Sequence, residues 1–174
     1  ISHMSEPMIS HDAVAFFLLS EEVSKHVKVV QSGQGADEVF AGYDWYPPLE
    51  DVPRSRALEA YSAAFFDRPR SLLEEIVARD YLVDHDVSME FVRQHFARPG
   101  AATTLDAALR IDSTIMLVDD PVKRVDNMTM AWGLEARVPF LDHELVELAA
   151  MCPPELKLAQ GGKGVLKEAA RALL

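Results

Sequence analysis

The sequence predicts a mostly helical part of an α/β domain, with one buried parallel strand and seven or eight helices. Three observations carry that prediction. Apolar residues recur at three- and four-residue spacing over most of the chain, the mark of helices with one buried face. Only "VKVVQ" (27–31) is short, β-branched and followed by a glycine-bearing turn, as a buried strand requires. A lone strand leaves its backbone N–H and C=O groups unsatisfied, so it demands strand neighbours, and no second strand is legible in the chain.

Taken in order, Ser10 is placed to cap a first helix in which Val14, Phe17 and Leu18 form one stripe reaching about His26. After the strand, "ADEVFAGY" begins helical and stops near Gly42. "YPPLEDVPR" (46–54) holds three of the ten prolines and reads as a loop. "RALEAYSAAFF" aligns Ala57, Tyr61, Ala64 and Phe65 on one face. Ser71 and Glu74 have the spacing of a capping box opening "LLEEIVARDYL". A helix over about 88–97 ends before Pro99, and Thr103 with Asp106 opens the next. That helix puts Leu105, Leu109, Asp112 and Met116 on a common stripe. "VKRVDNMTMAW" follows, and Pro139 keeps "RVPFLD" extended. Asp142 is placed to cap "HELVELAAM", which stops at Pro153 and Pro154, and "GGKGVLKEAARALL" is a last helix. "ISHM" (1–4) reads as an expression-vector remnant, which leaves 5–174 for the fold.

Composition excludes several function classes. A 174-residue chain with 49% hydrophobic and 26% charged residues is not disordered. A net charge of −11 argues against nucleic-acid binding, where a basic face is needed. A single cysteine, Cys152, excludes an internal disulfide framework and fits a reducing, cytoplasmic compartment. No apolar run reaches the ~18 residues of a membrane span. His11, His85, His95 and His143 show no metal spacing, and no Ser/His/Asp arrangement is legible.

Three stretches could carry chemistry. In "VVQSGQGADEVFAGY" (29–43) a strand feeds a turn and then a helix, an arrangement that presents backbone N–H groups to an anion. Gly33 and Gly35 permit positive φ and close backbone approach. Asp37 and Glu38 then either complement the helix dipole or hold a divalent cation beside a phosphate. The plain alternative is a tight turn followed by dipole-friendly acids. In "QGGKGVLKEA" Lys163 is expected in the first turn of a helix, where a cation opposes the macrodipole unless it shares an anion with the helix-end amides. A solvated lysine on a frayed end is the alternative. In "DDPVKRVDNMTMAWGLEARVPFLD" (119–142) Asp126 lies on a partly apolar row and is expected to pair with Arg124 or Arg137. Met128, Met130 and Cys152 are expected to be core filler.

In order, these stretches resemble the asparagine synthetase (glutamine-hydrolysing) family. "VVQSGQGADEVFAGYDWY" is similar to its Ser-Gly-Glu-Gly-Ala-Asp-Glu segment. "VDNMTMAWGLEARVPFLDHELVELA" is similar to its Ser-Met-Ala…Leu-Glu-x-Arg-Val-Pro-Phe-Leu-Asp signature. "PPELKLAQGGKGVLKEA" is similar to its closing Lys-x-x-Leu-Arg-Glu element, whereas 47–105 carry little of the likeness. The resemblance implies part of an adenine nucleotide α-hydrolase-like (PP-loop) synthetase domain. In that family ATP adenylates a carboxylate, pyrophosphate leaves, and ammonia from an N-terminal glutaminase domain attacks. Carried over by motif, Ser32, Gly33 and Gly35 line the nucleotide and pyrophosphate site and Asp37 holds Mg²⁺ on the phosphates. Lys163 and Gln34 are the catalytic candidates, and the turn at 32–35 and Lys163 are expected to face one cleft. Asp126, Glu135 and Arg137 are expected to be scaffold.

Two departures stand out. Gln34 replaces the family's glutamate, which points to another acceptor carboxylate, such as that of the N-acetylglutaminylglutamine amide-forming branch. The Ser-Gly-Gly-x-Asp-Ser pyrophosphate loop and the nucleophilic cysteine of the glutaminase do not occur in this sequence. The expectation is therefore a piece of a longer enzyme, inactive alone, able to self-associate through its uncovered strand. A stand-alone helical regulatory module is the alternative, and a dinucleotide binder is disfavoured because no G-x-G-x-x-G follows the strand.

Overall fold

A computed structural model describes residues 1–6 and 10–173. Among them run ten α-helices and two three-residue strands, in the order α1 (Asp12–Ser24), β1 (Val29–Gln31), α2 (Ala36–Phe40), α3 (Ala57–Phe65), α4 (Arg70–Ile76), α5 (Val87–Phe96), α6 (Thr104–Ile111), α7 (Lys123–Met130), β2 (Glu135–Arg137), α8 (His143–Ala150), α9 (Pro154–Leu158) and α10 (Gly164–Ala170). Short 3₁₀ turns interrupt the loops, and two π-helical turns, Asp112–Met116 and Val118–Val122, join α6 to α7. The chain divides into two compact units, one of 1–40 with 112–152 and one of 41–111 with 153–174.

The first unit contains the sheet. β1 and β2 pair in parallel, Val29 with Glu135, Val30 with Ala136 and Gln31 with Arg137. The strand's partner is thus within the chain, which corrects the expectation of a single strand. "EAR" has no β-branched residue, and the alternation of Leu134, Ala136 and Val138 with Glu135 and Arg137 is a weak signal over so few residues, which pairing with β1 turns into a strand. The ladder extends at both ends, Glu135 N–H donating to Lys28 C=O (2.9 Å) and Ser32 N–H to Arg137 C=O (2.8 Å).

α1 packs on α7, burying Ala13 and Ser20. Phe17 meets the Trp132 ring at 5.1 Å and the Arg124 guanidinium lies 5.7 Å from the Phe16 ring centre. The expected stripe is therefore wrong at two of its three members, since Val14 is 64% and Leu18 59% exposed. Residues 13–19 of the helix are all apolar, so its own periodicity could not choose a face. Its cap position is His11 rather than Ser10, although Ser10 Oγ accepts from Asp12 N–H at 3.3 Å. Pro121 lies within the second π turn, where the wider turn relieves the clash of its ring with the preceding backbone. Asp142 caps α8 as expected, Oδ1 accepting from Glu144 and Leu145 N–H at 3.1 and 3.2 Å.

The second unit is helical around an aromatic cluster. Tyr61 stacks on Phe65 (5.0 Å) and tilts against Phe96 (5.1 Å), while Trp45 meets Phe65 edge-on at 5.4 Å. Tyr46, Leu49 and Leu105 are wholly buried beside them in the core. α6 opens as expected: Thr103 Oγ1 accepts from Asp106 N–H and Asp106 Oδ2 accepts from Thr103 N–H, both at 3.0 Å. Leu105 and Leu109 are buried on the expected stripe. Ser71 does not cap α4. Pro69 holds an extended ψ of 155° and the helix starts at Arg70, so Ser71 is already inside it and Glu74 pairs with Arg70 Nε at 2.8 Å. The chain does not stay irregular after the proline pair: Pro154 opens α9 as its first helical residue.

Candidate functional site

Parallel pairing with β2 aims the C-terminal end of β1 at a four-residue turn, Ser32–Gly35, that runs straight into α2. The turn is closed by Ala36 N–H donating to Gly33 C=O at 3.3 Å and by Val39 N–H donating to Gly35 C=O at 2.9 Å. Between those bonds, the N–H groups of Gly33, Gln34 and Gly35 have no acceptor among the described residues. Three successive orphan donors are uncommon in a folded chain, and at Gly35, which is buried, such a group calls for a partner that is not backbone. Ser32 and Gln34 are half-buried beside them and Gly33 is exposed.

The two glycines serve different ends. Gly35 has φ +92°, and a Cβ there would stand 2.2 Å from Leu141 Cδ2 and 2.7 Å from Cγ. It is a packing glycine, letting the turn lie against the 3₁₀ turn Pro139–Leu141. Gly33 lies outside the left-handed region and a Cβ there would meet nothing within 4 Å. Its lack of a side chain is not needed by the fold and leaves the backbone open to a ligand. Of the two glycines, only Gly35 uses the positive φ that both permit.

Asp37 lies half-buried in the first turn of α2, and Glu38, beside it, is 1% exposed. No group of three or more candidate metal-binding side chains occurs among the described residues. A Mg²⁺ ion held by one carboxylate and completed by phosphate oxygens and water matches that donor set.

Lys163 belongs to the second unit. It is not inside the first turn of α10 but precedes it, as the cap residue with φ 56° and ψ 29°. Lys163 closes a turn of unusual backbone conformation. Gln160, Gly161, Gly162 and Lys163 have φ of 58°, 75°, 93° and 56°, one continuous left-handed turn. For the two residues with side chains that conformation costs ~1–2 kcal/mol each. Gly162 must be glycine, because a Cβ would lie 2.6 Å from the Ala41 carbonyl oxygen. The Gly161–Gly162 pair was the sequence signal for the turn. Strain of this kind persists where the surroundings impose it and concentrates at functional positions.

Other candidates separate. Asp126 is exposed, and its expected partners are engaged elsewhere: Arg124 pairs with Asp120 at 2.9 Å, and Arg137 lies 4.0 Å from Glu135. Glu135 and Arg137 are exposed on β2. Met128 is core, but Met130 is 53% exposed and Cys152 only half-buried. Among the described residues no helix is long and apolar enough to cross a membrane.

A strand that ends in a turn with unpaired N–H groups, with an acid in the first turn of the helix that follows, is the arrangement that presents backbone donors to an anion. The chain belongs to the asparagine synthase family, whose model matches residues 1–174. It is 28% identical to "Asparagine synthetase [glutamine-hydrolyzing] 1" of Bacillus subtilis, over 99% of this chain and 32% of that protein. A "Putative asparagine synthetase [glutamine-hydrolyzing]" of Mycobacterium tuberculosis is 29% identical over 91% of this chain and 29% of its own length. "Asparagine synthetase [glutamine-hydrolyzing] 1" of Saccharomyces cerevisiae is 29% identical over 87% of this chain and 18% of its own. The chain thus spans at most about a third of the curated relatives it matches.

Proposed function

We propose that the chain is the C-terminal part of the synthetase domain of an ATP-dependent, glutamine-hydrolysing amidating ligase with a PP-loop fold. The carrying observation is the run of orphan N–H groups at Gly33, Gln34 and Gly35. These donors bind phosphate oxygens of the nucleotide, with Ser32 beside them. The open space over Gly33 admits the close approach. Asp37 holds Mg²⁺ on the phosphates, and Lys163 neutralises the charge that develops as pyrophosphate leaves the adenylated carboxylate. A cation already in place where charge develops costs no reorganisation at the moment of reaction, which is where such stabilisation is largest. Ammonia, released from glutamine by a separate glutaminase domain, then attacks the acyl-adenylate. Gln34 offers a neutral amide where an acid would repel the anion, so the acceptor carboxylate differs from free aspartate, as in the N-acetylglutaminylglutamine branch.

The sheet supports the reading of the chain as part of a larger domain. Parallel sheets are ordinarily covered on both faces, and two strands alone are marginal, yet Val27 and Val29 are 44% and 47% exposed. The test uses the longer protein with its preceding region, in which AMP release is expected to depend on both ATP and glutamine. Lys163→Ala there should abolish turnover and leave the thermal midpoint in place; unchanged turnover removes the role given to Lys163. The 174-residue chain alone should not catalyse ATP–pyrophosphate exchange.

A further inference from the structure

The left-handed turn Gln160–Lys163 is expensive in conformation and sits on one edge of a short helix, so something must hold it. Its middle is wedged: Gly162 N–H donates to Leu158 C=O at 2.9 Å and its Cα faces the Ala41 carbonyl. Its two ends, which bear the side chains and the strain, are both held by one residue. Lys167 N–H donates to Lys163 C=O at 2.8 Å, and Lys167 Nζ reaches back to Gln160 C=O, also at 2.8 Å. Lys167 thus spans the turn from its first carbonyl to its last.

We infer that Lys167 is a positioning residue, clamping residues 160–163 in the left-handed conformation and thereby fixing the direction in which Lys163 leaves the backbone. The inference rests on the role proposed above for Lys163. A residue with a Cβ leaves the left-handed region when it can, and Gln160 is freed to do so once its carbonyl loses the ammonium. Rotating Gln160 out of that region swings the start of α10 and, with it, the side chain that precedes the helix. Lys167 lies on the exposed side of α10, so its removal opens no cavity and leaves the core intact.

The test is made first on the isotope-labelled chain, where backbone chemical shifts report the sign of φ. Lys167→Met keeps the aliphatic stem and removes the donor; Gln160 and Lys163 are expected to lose their left-handed shifts while the remaining resonances stay put. Lys167→Arg restores a donor and should retain the turn. Gln160→Gly combined with Lys167→Met should also retain it, because glycine occupies that region without penalty. A turn unchanged in Lys167→Met overturns the inference, and so does a turn that Gln160→Gly fails to restore. In the longer enzyme, Lys167→Met should lower kcat by about 10²-fold, as misplacement of a catalytic group does, with KM for ATP little changed. Recovery in the double variant is expected. Loss of the turn with kcat intact would uphold the clamp and overturn instead the part assigned to Lys163.

Discussion

The different duties of Gly33 and Gly35 make a sharp prediction. In Gly35→Ala the new methyl must enter the left-handed region at φ +92° and occupy space 2.2 Å from Leu141 Cδ2 and 2.7 Å from Cγ. The whole isobutyl group stands in the way, not one terminal methyl. The conformational part costs ~1–2 kcal/mol and the overpacking ~1–3 kcal/mol, so the variant should lose ~2–5 kcal/mol. For a chain of this size that lowers the thermal midpoint by roughly 4–20 °C. Gly33→Ala meets no atom within 4 Å and needs no left-handed backbone, so its midpoint should stay within about 2 °C of the parent or rise slightly. The assay is thermal unfolding followed by circular dichroism, with Leu141→Ala as a third background. There the overpacking vanishes and Gly35→Ala should cost only its conformational part. Equal midpoints for the two alanine variants would refute the reasoning, as would a Gly35→Ala cost indifferent to Leu141→Ala. In the longer enzyme the order should invert for function: Gly33→Ala, well folded, should lose ATP-dependent turnover because its methyl occupies the approach to the orphan N–H groups.

Two further outcomes concern stability. Thr103→Ala removes one half of the reciprocal bonds that open α6 and should cost ~1 kcal/mol, read as a midpoint lower by about 2–4 °C; no shift would reject the cap. His95 is 8% exposed, and burial, aided by the charges of Arg98 and Arg110, lowers its pKa from 6.5. A depressed histidine pKa means the unfolded chain binds the proton first. The stability His95 contributes is therefore complete above about pH 6.5 and declines as pH falls from there toward the folded value. Urea titrations between pH 7.5 and 5 should show that decline, and His95→Phe should flatten it; equal slopes for the two proteins would reject the assignment.

The elements legible in the sequence were those settled by residues two to four positions apart. The bonds of Thr103 with Asp106 and of Asp142 with Glu144 and Leu145 need no distant chain, and the periodicity of α6 pointed to its buried face. The same reasoning failed at Ser71, where Pro69 and Arg70 start the helix earlier. It also failed at Asp126, which is exposed, while Arg124 pairs with Asp120.

The strand-turn-helix around Gly33, the acid at Asp37 and the lysine at Lys163 were determined by the sequence itself, because backbone freedom and charge type are properties of single residues. Three things were decided only by the tertiary structure. "EAR" became a strand because β1 lay beside it to accept its hydrogen bonds. α1 chose its buried face because α7 supplied the cover. Gly35 and Gly162 became obligatory because Leu141 and the Ala41 carbonyl crowd them from elsewhere in the chain. In each case the deciding term is contact with atoms remote in sequence, which no local pattern encodes.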